Sequence, residues 1–136
     1  MNKKILLSAV CCALALAGCE RGEKGSIRIL SLSPEPTVAL KVGEKVDLKV
    51  EVEYTLNKSA GRVGLSVQPG DGIPNIAKQD KDVQLKRGSG KAEITAMFVV
   101  PDSEEVVVNV PLYEGAGATR TEVVAQRTYN VIRKKK

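Results

Sequence analysis

The sequence predicts an all-β protein: about seven strands in two antiparallel sheets packed face to face, after a cleaved N-terminal segment. Three observations predict it. Apolar and polar residues alternate with period two over long stretches, which puts one kind of side chain on each face of a strand. Downstream of residue 18 the chain carries 17 valines, no tryptophan and a single phenylalanine, Phe98. β-branched side chains fit a pleated, half-buried surface. Short clusters of Gly, Asn, Asp and Ser punctuate the alternating runs, where they supply positive φ or bond their own backbone.

The chain opens on Lys3-Lys4 and a 13-residue, largely apolar run from Ile5 to Ala17. That is well short of the ~20 residues a membrane-spanning helix needs. A basic start, a short apolar middle and small residues before a break describe a secretory signal peptide over residues 1–18. The break reads Leu16-Ala17-Gly18-Cys19. This stretch resembles the lipobox of bacterial lipoproteins. The resemblance implies that the Cys19 thiol takes diacylglycerol, that cleavage precedes Cys19, and that the new amino terminus is acylated, with palmitate as a typical chain. Glu20, where Asp favours inner-membrane retention in the enterobacterial type, implies the outer membrane, with the domain facing the periplasm. An ordinary signal peptide is the alternative, cleaved after a small-x-small site at Ala13-Leu14-Ala15 or Ala15-Leu16-Ala17.

Cleavage before Cys19 leaves 118 of the 136 residues, one domain's worth. The remaining charge is 19 basic residues against 16 acidic ones, and the tail Arg133–Lys136 supplies four of the basic ones. The basic balance is therefore a tail effect, and no nucleic-acid partner is expected. Cys11 and Cys12 fall in the signal peptide. With Cys19 acylated the domain has no thiol for a disulfide, so burial must stabilise it.

Residues 19–26 read as a lipidated tether and 27–132 as the domain. Ile27–Leu32 and Thr37–Val42 are weak strands. Val46–Leu56 is the clearest: Val46, Leu48, Val50, Val52, Tyr54 and Leu56 alternate with Asp47, Lys49, Glu51, Glu53 and Thr55. Val63, Leu65 and Val67 follow, then the weak Val83–Lys86. Ala92, Ile94, Ala96 and Phe98 form the next run, and Val106, Val108, Val110 and Leu112 the one after. The last is Glu122–Ile132, where Arg127 is a misfit among Val123, Ala125, Tyr129 and Val131. Turns are expected at Val42–Glu44, Asn57–Gly61, Arg87–Gly90, Pro101–Ser103 and Glu114–Gly117. Pro111 conflicts with a central strand because it has no N–H for the ladder. The strand must end or bulge there, or the segment after it must lie at an edge. The core is expected to contain Val50, Val52, Ile94, Phe98 and Val108. The run from Ile27 to Ile132 resembles bacterial immunoglobulin-like and fibronectin type III-like domains in pattern and length. The cysteine pair and tryptophan of antibody domains are absent.

No catalytic residues are expected. Without histidine there is no Ser–His or Cys–His pair, and no common zinc site can be assembled. No cofactor or metal is expected either. Asp80 and Asp82 are two apart and would share a face if the segment were a strand, and Asp71 could join them around calcium, but the spacing matches no calcium loop. Solvated turn residues are the simpler reading. These aspartates do mark Gln68–Asp82, the longest irregular stretch, as a candidate partner loop. Loop parity supplies a second candidate. If every turn reverses the chain, Asn57–Arg62, Lys86–Lys91 and Glu114–Thr121 share one end with the tether. That end gathers Lys58, Arg62, Lys86, Arg87, Lys91 and Arg120, and would face anionic lipid. The acidic turns and the long loop would sit at the other end, free for a partner. The expected function is a non-enzymatic binding or accessory module of the envelope, held to membrane lipid by Cys19 and docking another envelope protein. The alternative is an exported inhibitor acting through a projecting loop.

Overall fold

The computed structural model describes residues 24–72, 74–79, 81–121 and 123–133. The expected signal peptide, Cys19, most of the expected tether, Asp80 and Lys134–Lys136 of the tail lie outside them. The described chain is all-β, without a helix. Its strands are β1 (Ser26–Ser33), β2 (Leu40–Lys41), β3 (Lys45–Val63), β4 (Ser66–Pro69), β5 (Val83–Val99), β6 (Glu105–Glu114) and β7 (Val123–Ile132). They form one curled sheet in the order β1-β3-β6-β7-β2, with β5 also paired to β3 and β4 to β6. The sheet is mixed, because β2 runs parallel to β7.

The alternation does what period two requires. Val46, Leu48, Val50, Val52 and Leu56 of β3 are at most 5% exposed, and Val106, Val108 and Val110 of β6 are wholly buried. With Ile94, Phe98 and Tyr129 they make one aliphatic cluster, which contains all five expected core residues. Tyr129 is fully buried and its hydroxyl donates to the Pro34 carbonyl. Burial raises the phenol pKa from 10.0 to about 12.

The strand layout differs from expectation at two turns. Asn57–Gly61 and Arg87–Gly90 do not end strands; they lie opposite each other inside β3 and β5. The register runs Leu56 to Gly88 and then Ala60 to Lys86, so Asn57, Lys58 and Ser59 face Arg87 alone. Extra residues on one strand bend the pair and increase its twist. Gly88 allows the bend, at φ +114°, which a side chain would resist. Before the bulge β3 pairs with β1; after it, Gly61, Arg62 and Val63 pair with β6. One strand pair thus serves both halves of the curled sheet.

Pro111 neither ends nor bulges β6. β4 pairs with Val106–Asn109 and the end of β3 with Leu112–Glu114. Pro111 sits at the junction, where its carbonyl accepts from Gly64 N at 3.1 Å. Carbonyl and nitrogen of one strand residue point the same way, so the missing N–H faces the gap between two neighbours and not the β7 ladder.

Candidate functional site

The chain enters the domain against the bulge. Gly25 N donates to Glu114 Oε1 at 2.6 Å, and Asn57 Nδ2 to the Lys24 carbonyl at 3.3 Å. Arg87 Nε donates to the Asn57 carbonyl at 3.2 Å. A Cβ on Gly25 would collide with the Thr55 carbonyl, so only glycine lets the chain pass this close. Beside it is a shallow cleft of ≈ 300 Å³ lined by Lys24, Lys58, Leu112, Glu114, Arg120 and Thr121. Lys58, Arg87 and Arg120 of the expected basic end therefore do surround the point where the chain enters. Lys86 is exposed one register step beyond the bulge.

The other two do not join them. Lys91 pairs in register with Glu53, on a face crossed by the Arg28–Glu53 and Lys49–Glu93 ion pairs. Arg62 is turned inward. Its Nε meets Asp82 Oδ2 at 2.7 Å, its Nη1 donates to the Ala118 carbonyl at 2.5 Å, and its guanidinium lies 4.0 Å above the Tyr113 ring. Loop parity had put Arg62 and Asp82 at opposite ends. It fails for this pair because Asp82 directly precedes Val83, which pairs with Val63, the residue after Arg62, so the loop has already returned from the far end by Asp82.

The long loop is a strap. Asn75 Oδ1 accepts from Val67 N and Ala77 N at 2.9 and 3.0 Å, and Ile76 N donates to the Val67 carbonyl at 2.8 Å. Lys78 then bridges to Met97 on the outer edge of β5, with bonds of 2.8 and 3.1 Å. Ile76 and Ala77 pack on the core. The segment thus ties β4 to β5 across the curl of the sheet. Asp71 lies at its exposed beginning and Asp82 in the Arg62 cluster, so these two aspartates are not brought together.

At the end opposite the bulge, Gly43 N donates to the Val100 carbonyl and Gly70 N to the Glu105 carbonyl, both at 2.9 Å. Buried Ser103 donates to the Glu105 carbonyl at 2.8 Å and accepts from Gly70 N at 3.3 Å. Asp71, Glu104 and Glu105 line a cleft there of ≈ 360 Å³ with Arg133, which pairs with Asp102 at 3.1 Å. The first residue of the basic tail therefore meets the acidic turns. Among the described residues no group of three or more carboxylates, histidines or cysteines is placed to hold a metal ion.

The two outer faces differ in charge. The β1–β3–β5 face carries Arg28, Asp47, Lys49, Glu51, Glu53 and Glu93. The middle of the β4–β6–β7 face carries Ser66, Gln68, Val107, Asn109, Pro111, Val124, Gln126 and Thr128, with no charge among them, and Glu105 shares its phase at the far end of β6. Gln126 Nε2 donates to Asn109 Oδ1 at 2.8 Å, and Asn109 Nδ2 to Gln68 Oε1 at 3.3 Å, an amide ladder across three strands. Val124 is half exposed. Sequence reasoning missed this face, although the phase opposite to the valines held it. It also missed Lys24, the last basic residue before β1. The chain matches no known family model and no curated protein.

Proposed function

We propose that the protein is a lipid-anchored envelope protein whose domain, an immunoglobulin-like sandwich, is a non-enzymatic module that docks another envelope protein. Leu16-Ala17-Gly18-Cys19 supports the anchor. The connectivity supports the immunoglobulin-like reading. The chain leaves β1, which pairs with β3, and crosses to β2, which runs parallel to β7. β3 and β5 then form one wall, and β4, β6 and β7 the other.

One observation carries the docking role: the middle of the β4–β6–β7 face, from Val107 to Pro111 and from Val124 to Thr128, is free of charge, whereas the β1–β3–β5 face is heavily charged. Interface cores are depleted in charge relative to the rest of a protein surface. The amide ladder offers donors and acceptors at fixed positions, flanked by Val107 and Val124. The inhibitor reading is less favoured, because the middle of the strap that would project, Asn75–Lys78, is bonded to β4 and β5.

The test is site-specific photocrosslinking in intact envelope, with the probe at Gln126 and, as control, at Glu51 on the charged face. A discrete adduct from Gln126 and none from Glu51 is expected. Equal labelling at both sites, or none at Gln126, refutes the docking role. Intact mass of the same protein should show acyl groups on a chain beginning at Cys19, and Cys19→Ala should abolish membrane retention.

A further inference from the structure

We infer that the end of the domain where the chain enters is a surface for anionic lipid headgroups, with Lys24, Lys58, Lys86, Arg87 and Arg120 facing the bilayer. This deepens the anchoring reading and rests on it for the placement of the membrane. The residues come from the N-terminal segment, the β3 bulge, β5 and the β6–β7 connection, so the fold and not the local sequence brings them together. All five are exposed. The carboxylate among them in the described structure, Glu114, is committed to Gly25 N at 2.6 Å. The acidic turns that would oppose lipid lie at the far end, with Asp71, Asp102, Glu104 and Glu105.

Distance decides whether this charge is felt. Lys24 is five residues from Cys19, so the connecting chain spans at most ~17 Å when fully extended, at ~3.5 Å per residue. Exposed charges act over about 8 Å at physiological salt. A modestly relaxed tether therefore keeps the basic end within range, whereas a domain lying on its side would remove most of these residues from it. Each basic side chain near an anionic surface favours the bound orientation about fivefold. Three of them together bias it roughly 100-fold.

The test uses the processed protein purified from membranes and reconstituted into vesicles of phosphatidylcholine alone or mixed with phosphatidylglycerol. A fluorophore is placed through Ser89→Cys beside the bulge or through Glu104→Cys at the far end, with a quencher on the lipid headgroups. In anionic vesicles the Ser89 position should be quenched several-fold more than the Glu104 position. The contrast should vanish at 1 M salt, where the screening length is ~3 Å. It should also vanish in Lys58→Glu/Arg87→Glu/Arg120→Glu, and weaken in the corresponding triple Gln variant. Lys41→Glu/Lys45→Glu, at the far end, should leave it unchanged. Equal quenching at the two positions, or the same contrast in neutral vesicles, overturns the inference. Should mass measurement show no acyl groups, the anchoring reading fails by itself. The same protein is then sedimented with the two vesicle types: preference for phosphatidylglycerol, lost in the triple Glu variant, sustains the lipid surface. No preference, or binding of soluble glycerol phosphate without it, overturns it.

Discussion

Arg62→Ala should cost the domain about 2–3 kcal/mol, more than any other change confined to a charged side chain. Three interactions end with the truncation: the Asp82 pair at 2.7 Å, the bond to the Ala118 carbonyl at 2.5 Å and the stack 4.0 Å above Tyr113. Hydrogen bonds to charged groups contribute ~1.5–3 kcal/mol when shielded, whereas exposed ion pairs contribute ~0.2–1. The Arg62 and Asp82 side chains are 25% and 33% exposed, between those limits, so each polar contact is set at about 1 kcal/mol. Stacking adds about 0.5–1 kcal/mol. The assay is urea unfolding at constant m, where the shift in midpoint reads the difference. Arg62→Lys should recover less than half, because an ammonium neither forks between two acceptors nor stacks as a plane. A cycle with Asp82→Asn should show coupling of about 1 kcal/mol. A cost below ~0.5 kcal/mol for Arg62→Ala would mean that Arg62 is a solvated surface residue and not part of the inward cluster.

Two further outcomes are expected. Tyr129 holds its proton up to about pH 12 when folded and to ~10 when unfolded, so its contribution is complete below pH ~10 and is lost as pH rises toward 12. Roughly 2–3 kcal/mol should disappear over that window in urea melts, and Tyr129→Phe should flatten the decline; a midpoint no steeper in wild type than in the variant refutes it. Arg127 lies on the inner face of β7, opposite Val108, yet is exposed, and among the described residues the edge of β7 away from β6 is paired only at Val131 and Ile132. An inward charge blocks edge-to-edge pairing, so Arg127→Val should associate in a concentration-dependent way by sedimentation, and a variant as monodisperse as wild type would show that Arg127 guards nothing.

The alternating runs were legible because period two needs only one chain and one face. Val46–Leu56 and Val106–Leu112 lie in strands whose inner residues are those the phase assigned. Lateral partners were not legible, because they depend on which segments meet. Asn57–Gly61 shows the limit: Asn, Ser and Gly favour a reversal and a bulge equally, since both need the same backbone freedom. Reading a turn there split β3 in two, although the chain does double back at the bulge, since Gly43 and Gly70 lie at the same end. Arg62 was counted among the membrane-facing residues because it follows the bulge closely, whereas its side chain is turned inward. Its partner Asp82 is twenty residues away, and no local pattern joins them. Arg127, in contrast, was marked in the sequence as a misfit, and the structure places it on the sparsely flanked strand.

The charge distribution also bears on where a partner would stand. With the bulge end on the bilayer, β6 runs toward the membrane, ending at Glu114, and the β4–β6–β7 face looks sideways along it. Asn109, in the middle of the amide ladder, is five residues up β6 from Glu114, or about 17 Å at ~3.4 Å per residue. That exceeds the ~8 Å over which headgroup charge acts, so lipid composition should set the domain's orientation without altering the chemistry of the docking face. A partner meeting that face would stand beside the domain on the same membrane, not above it. Both proteins being confined to one surface raises their effective concentration. A face built from amides and two valines, too polar to associate strongly in dilute solution, then suffices when its partner is held at the same height.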